Sequence, residues 1–136
     1  MRWTRRTMLA ASLLFAGLAA VDQGMAQSAQ PVTLEGSWRG GGSVAFASGQ
    51  RERAECRAHY HRASSTSYTV TAICATPSGR ATQTATLRHV GGNTYQGRFH
   101  NSEYDVSGTI HVTVGGNRQS VRLTSESGSA SFELRR

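Results

Sequence analysis

Residues 53–76 read RAECRAHYHRASSTSYTVTAICAT and contain both cysteines of the chain, Cys56 and Cys74, with two of its five histidines. The cysteines lie symmetrically about Ser65, in the polar tip ASSTS. If they face each other across a hairpin, Ala58 meets Ala72, Tyr60 meets Val70 and Arg62 meets Tyr68. That single register joins the cysteines, pairs small residues with small ones and collects the apolar side chains on one face. Two directly opposed cysteines on neighbouring strands can reach disulfide geometry, so a Cys56–Cys74 bridge is expected. Other uses of these residues fit less well. A catalytic thiol has to be free, partly exposed and within reach of a base. A structural zinc wants four ligands, and there is no second pair of cysteines. His59 and His61 fall on the outer face of the same strand, two apart, where they form at most a weak transition-metal pair. No metal is expected.

The hairpin pattern repeats along the chain. Clusters such as ASGQ, TPSGR, GGN, NSEYD, GGNR and SESGS punctuate short runs rich in Thr, Val, Tyr and Ala. Regular short runs of this kind, bounded by turn residues, read as an all-β sandwich or barrel. Eight strands are predicted, near 37–47, 52–62, 67–76, 80–90, 94–101, 105–114, 118–125 and 129–135. Short connections make successive antiparallel hairpins the simplest topology. Each strand is apolar on one face only: Val106, Gly108, Ile110, Val112 and Val114 alternate with Ser107, Thr109, His111 and Thr113. This polarity excludes an outer-membrane barrel, whose outer face must be apolar. Closure of the eight strands into an antiparallel up-and-down barrel would bury one core and remove every edge. The predicted interior is mostly small: Gly40, Gly42, Ala54, Ala58, Ala72, Ala81, Ala85, Gly97 and Gly108. Trp38, Phe46, Tyr60, Tyr68, Tyr95, Phe99 and Phe132 supply its bulk, and Gln83 is its one polar amide.

The chain opens MRWTRRTMLAASLLFAGLAAVDQGMAQSAQ. Arg2, Arg5 and Arg6 precede an apolar run from Met8 to Val21, and Gly24 and Ala26 place small residues ahead of a cleavage point. This reads as a secretory signal over 1–26, of the general or twin-arginine type, and the run is too short for a membrane span. A leader over 27–33 and one barrel domain over 34–136 then follow. Periplasmic or secreted localisation would favour the disulfide, and closing a loop of this length is worth about 3 kcal/mol. The part after the signal carries twelve arginines, no lysine and seven acids. A basic exported domain meets anionic envelope surfaces rather than chromosomes.

The chain also carries Gly36-Ser37-Trp38 at its first strand and ends SFELRR. This pairing resembles the calycins, the superfamily of lipocalins and avidins. The resemblance implies a basic residue near the C-terminus packed on Trp38, here Arg135 or its neighbour Arg136, as a cation–π contact. The chain is also similar to secreted bacterial metalloprotease inhibitors, small exported barrels with one disulfide. That likeness implies a role for the segment QSAQPVT, Gln27 to Thr33, inserted into a protease. The layout GSW…C…C…NSEY resembles a group of small exported proteobacterial β-barrel proteins, which carries no activity with it.

No enzyme is expected. Glu103 and Asp105 flank Tyr104 in a hairpin tip, where carboxylates serve as turn residues. RGGGS lies within a strand, so it is no phosphate loop, and no cofactor is expected. Nucleic-acid binding would want exposed aromatics among the arginines, and here the aromatics are assigned inward. The expected function is a binding domain whose outer face carries Arg53, Arg57, His59, His61, Arg88 and Arg98, directed at an anionic envelope component or a protein partner. Carriage of a small apolar ligand is the further alternative.

Overall fold

The computed structural model describes residues 33–136, so the expected signal and all of the leader except Thr33 lie outside the described residues. Eight strands follow in chain order: β1 (Gly36–Phe46), β2 (Arg51–Ser64), β3 (Ser67–Thr76), β4 (Gly79–Gly91), β5 (Thr94–Asn101), β6 (Val106–Gly115), β7 (Arg118–Ser125) and β8 (Gly128–Arg135). Each pairs antiparallel with the next, and β8 returns to β1, so the sheet is a closed barrel. Closure pairs Arg39 with Arg135 at one end and Phe46 with Gly128 at the other. Strict apolar–polar alternation makes this possible, because each strand offers one face to the interior and one to water.

The β2–β3 hairpin has the register its cysteines require. Cys56 pairs with Cys74, Ala58 with Ala72, Tyr60 with Val70 and Arg62 with Tyr68, and the ladder shifts only at the tip, between Arg62 and Ser64. Cys56 and Cys74 form a disulfide with an S–S distance of 2.05 Å. Glycines on the inner face let strands crowd where the barrel coils. At Gly97 a Cβ would run into the carbonyl oxygen of Thr86, and at Gly42 into that of Ser131. Only glycine leaves that space.

Burial falls from one end of the barrel to the other. At the base, Leu87, Val112, Val114, Tyr60 and Trp38 are all at most 2% exposed. Towards the opposite end, Val44, Glu52, Thr76, Ala81, Gln83, Val106 and Ser125 are only half-buried. The base is plugged by the chain just before β1. Leu34 is fully buried, and its carbonyl accepts the Trp38 Nε1–H at 2.8 Å. The core therefore begins at Leu34, ahead of Trp38. Thr33 Oγ1 lies 3.1 Å from the Tyr68 hydroxyl, so the chain is already held at the base there.

The Arg–Trp contact forms, with one correction. Arg136, not Arg135, stacks on Trp38, its guanidinium 4.4 Å from the ring centroid, and it donates to the Glu35 carbonyl at 3.2 Å. Arg135 is still in register within the sheet and points outward, whereas Arg136 lies past the last strand and can fold under the base. The inner face also differs from expectation in two respects. Phe46 is 38% exposed, because it ends β1 and its N–H and carbonyl are already engaged in the turn to Gln50 and Gly49. Gln83 is not the sole inner amide, since Gln119 and Asn101 are buried too.

Candidate functional site

Arg53, Arg57, His59 and His61 project from the outer face of β2 and are exposed. The rings of His59 and His61 meet edge-on at 4.4 Å, and His59 Nδ1 lies 2.9 Å from Ser37 Oγ. Among the described residues no third metal-binding side chain joins them. Arg88 and Arg98 do not share this face. They sit on β4 and β5, beyond the outward Thr69, Thr71, Ile73 and Ala75 of β3, and they are diagonal neighbours of each other. The six arginines and histidines thus divide into two groups.

Closure of the barrel joins two arginine pairs, one in the β1–β2 hairpin and one in the β7–β8 hairpin. Arg57 is directly opposite Arg39, Arg39 opposite Arg135, and Arg135 opposite Arg118. These are four exposed arginines in one unbroken row across β2, β1, β8 and β7. Adjacent strands are about 4.8 Å apart, so the row spans about 14 Å. Like charges placed directly opposite one another destabilise a sheet. None of the four has a carboxylate as its cross-strand partner; Glu55 and Glu133 lie two residues along, on the same face. Glu133 is itself taken up by the Ser120 hydroxyl, which donates to it at 2.6 Å.

Beside this row is an open groove of about 550 Å³, lined by Arg39, Glu55, Arg57, Ile73, Ala75 and Arg80 together with the backbone at Gly40 and Cys56. Arginines wall it, while glycine and alanine leave its floor low. Ile73 is 46% exposed, one of four large apolar side chains exposed among the described residues, with Phe46, Val90 and Tyr104.

The interior is nearly full. A cavity of about 40 Å³ remains mid-barrel, lined by Cys56, Cys74, Gln83, Phe99 and Phe132 among others. That is room for one water molecule, far below the 300–1,000 Å³ typical of small-molecule sites. Three buried polar atoms find no protein partner among the described residues: Glu52 Oε2, Gln83 Oε1 and Gln119 Nε2. The other ends of two of them are bonded. Tyr60 donates to Gln119 Oε1 at 2.6 Å, and Ser78 donates to Glu52 Oε1. Burial pushes the Tyr60 hydroxyl well above the usual tyrosine range, and the bond to Gln119 offsets only part of that. Tyr95 is also raised, mainly by loss of solvent, then by neighbouring Tyr68, with Arg62 acting the other way.

The carboxylates at the β5–β6 tip have a structural part to play. Glu103 Oε2 accepts the backbone N–H of Thr82 at 3.0 Å and so ties the tip to β4. This bond is the main reason the Glu103 carboxyl is held below its ordinary value. Asp105 adopts a left-handed backbone at φ 51°, a conformation that Asp tolerates in turns.

Sequence reading did not single out Arg39, Arg118, Arg80 or Ile73. Arg39 opposes Arg57 and Arg118 opposes Arg135 within single hairpins, and only the join between the two pairs requires knowing which residues β1 and β8 oppose at closure.

No protein-family description matches the chain, and no curated protein does. Solved structures of the same architecture do. A redesigned β-barrel, mFAP1, bound to DFHBI, superposes with a TM-score of 0.65 at 14% identity, covering 76% of this chain and 94% of the other. A further redesigned barrel, b11L5F_LGL, gives 0.60 at 15% identity over 76% and 90% of the two chains. Rv2717c from M. tuberculosis gives 0.50 at 14% identity over 76% and 92%. At these identities the likeness concerns the fold.

Proposed function

We propose that this chain is an exported, non-enzymatic binding domain that engages an anionic surface of the cell envelope through the outside of its barrel. The observation that carries this reading is the row Arg57–Arg39–Arg135–Arg118. A sheet gains nothing internally from four opposed guanidinium groups, and an anionic partner relieves their mutual repulsion. His59 and His61, on the same strand as Arg57, widen the basic area in mildly acidic solution.

The test is co-sedimentation with phosphatidylglycerol vesicles, with phosphatidylcholine vesicles as the control, at low and high salt. An arginine near an anionic surface contributes about 1 kcal/mol. Neutralising all four (R39Q/R57Q/R118Q/R135Q) should therefore weaken binding by up to about a thousandfold, and salt should weaken it too. Binding that ignores both salt and these substitutions would refute the reading.

A second reading, carriage of a small ligand inside the barrel, is favoured by the loosening of burial towards the open end and by the fold shared with a barrel bound to DFHBI. It requires the cavity to expand from about 40 Å³ by almost an order of magnitude.

A further inference from the structure

The groove beside the arginine row has a composition that the row lacks. Two cross-strand rows form it. One runs Arg39, Arg57, Ile73 and Thr82; the next runs Gly41, Glu55, Ala75 and Arg80. Along β3, Ile73 and Ala75 form an apolar strip two residues apart on the outer face, with Arg57 across from Ile73 on one side and Arg80 across from Ala75 on the other. The walls are long and cationic and the floor is short and apolar. Ala75 rises by one methyl, and Gly41 has no side chain of its own but lies under the Glu55 carboxylate, so the apolar floor is the strip of Ile73 and Ala75. Three arginines against one glutamate leave the groove cationic. Its volume of about 550 Å³ falls within the range of small-molecule sites, whereas the interior cavity does not. An inorganic anion would satisfy the arginines and leave Ile73 in water; an uncharged chain would cover Ile73 and leave the arginines unanswered.

We propose that this groove binds a single-chain amphipathic anion, its hydrocarbon chain lying along Ile73 and Ala75 and its anionic head held by Arg39, Arg57 and Arg80. The proposal rests on the reading of the outer face as the binding surface and names the ligand class for one part of it. Arg80 belongs to the groove alone, and Arg118 to the row alone, so the two can be tested separately.

The experiment is a calorimetric titration of the purified protein with dodecyl phosphate kept below its micelle concentration. Inorganic phosphate and dodecyl maltoside serve as head-only and chain-only controls. Dodecyl phosphate should bind at least tenfold more tightly than either control. Ile73→Thr, which installs the residue already present at the outward positions 69 and 71 of the same strand, should weaken it about tenfold. Arg80→Gln should weaken it similarly and lower phosphatidylglycerol-vesicle binding less than Arg118→Gln does, while Arg118→Gln should leave dodecyl phosphate binding unchanged. Amide shifts at Gly40, Ile73 and Ala75 on titration would place the ligand in the groove. If dodecyl phosphate binds no better than inorganic phosphate, or if Ile73→Thr has no effect, the proposal is overturned. Vesicle binding that persists in that case, and still depends on Arg118, leaves the arginine-row reading standing alone.

Discussion

Replacing Tyr60 by Phe removes one oxygen from a side chain–side chain hydrogen bond buried in the barrel. Its hydroxyl donates to Gln119 Oε1 at 2.6 Å, and Gln119 is 1% exposed with Nε2 already lacking a protein partner. Y60F therefore leaves the whole amide without a protein partner. Stranding a buried polar group costs about 1–3 kcal/mol. Gln119→Met strands the Tyr60 hydroxyl instead and should cost about as much. The double variant Y60F/Q119M removes both polar groups and keeps the volume, and such paired removals are close to neutral. The two losses should thus fail to add by about 2 kcal/mol or more, as expected of residues in one buried contact. In a domain of about 100 residues each kcal/mol moves Tm by about 4–8 °C. Each single variant should therefore melt about 4–24 °C lower, with the double variant well above both. Urea and thermal denaturation followed by circular dichroism would measure this. A double variant destabilised by the sum of the two singles would show that the contact contributes nothing and that the reasoning about the orphaned amide is wrong.

The same tyrosine sets an alkaline limit. Burial raises its folded pKa, so its contribution is intact below the unfolded value near 10 and is lost as pH rises beyond it, at up to about 1.4 kcal/mol per pH unit. Denaturation midpoints measured between pH 8 and 11 should show this slope, and Y60F should flatten it, with Tyr95 responsible for what remains. At the acid end, the lowered Glu103 pKa means that its bond to Thr82 stabilises the tip above the unfolded carboxylate value and is lost as pH falls through the folded one. Carboxyl NMR titration should find Glu103 below the ordinary glutamate range, and a normal midpoint would contradict the tie. Reduction of Cys56–Cys74, which closes a separation of 18 residues, should cost about 3 kcal/mol, read as a lower urea midpoint with the fold retained. Arg136→Ala should cost about 0.5–1 kcal/mol through loss of the Trp38 stack, whereas Arg135→Ala should raise stability slightly by relieving its opposition to Arg39 and Arg118.

The fold was legible because alternation is a local property. The symmetry of Cys56 and Cys74 about Ser65 dictated a register, and Ala58, Tyr60 and Arg62 took the partners it assigned. Where alternation was followed less closely, residues were misplaced. Gln119 precedes Val121 and Leu123 on the same face and Asn101 follows Phe99, so the pattern already marked both as inner. Phe46 carries the inward parity of β1, but parity stops governing burial where the strand leaves the barrel. Arg135 is likewise fixed outward by parity, and only the residue beyond the strand was free to reach Trp38. The outer site was not legible. The Arg39–Arg57 and Arg118–Arg135 pairs each lie within a hairpin, but Arg39 and Arg135 meet only through the closing pair of β1 and β8, and 81 residues separate Phe46 from Gly128.

 Those two strands meet only when the barrel closes, and no stretch short enough to show a repeating pattern contains both.

The filled interior and the unusual exterior bear on each other. A barrel of this size either packs its interior with side chains or holds one small ligand. Here the inner face supplies Tyr60, Tyr68, Tyr95, Phe99, Phe132 and Trp38, and the mid-barrel cavity among the described residues holds only about 40 Å³. Stability is thus provided from within, and the outer face is relieved of that task. On that face, opposed arginines are unfavourable for a free-standing sheet, and the exposed Ile73 lies beside them. They occur side by side: Arg57 lies across from Arg39 on one flank and from Ile73 on the other. A scattered excess of arginine would serve solubility and would gain nothing from direct opposition. The contiguous arrangement is what an anionic partner with an apolar part requires, and it is the ground for proposing that this barrel binds through its outer wall.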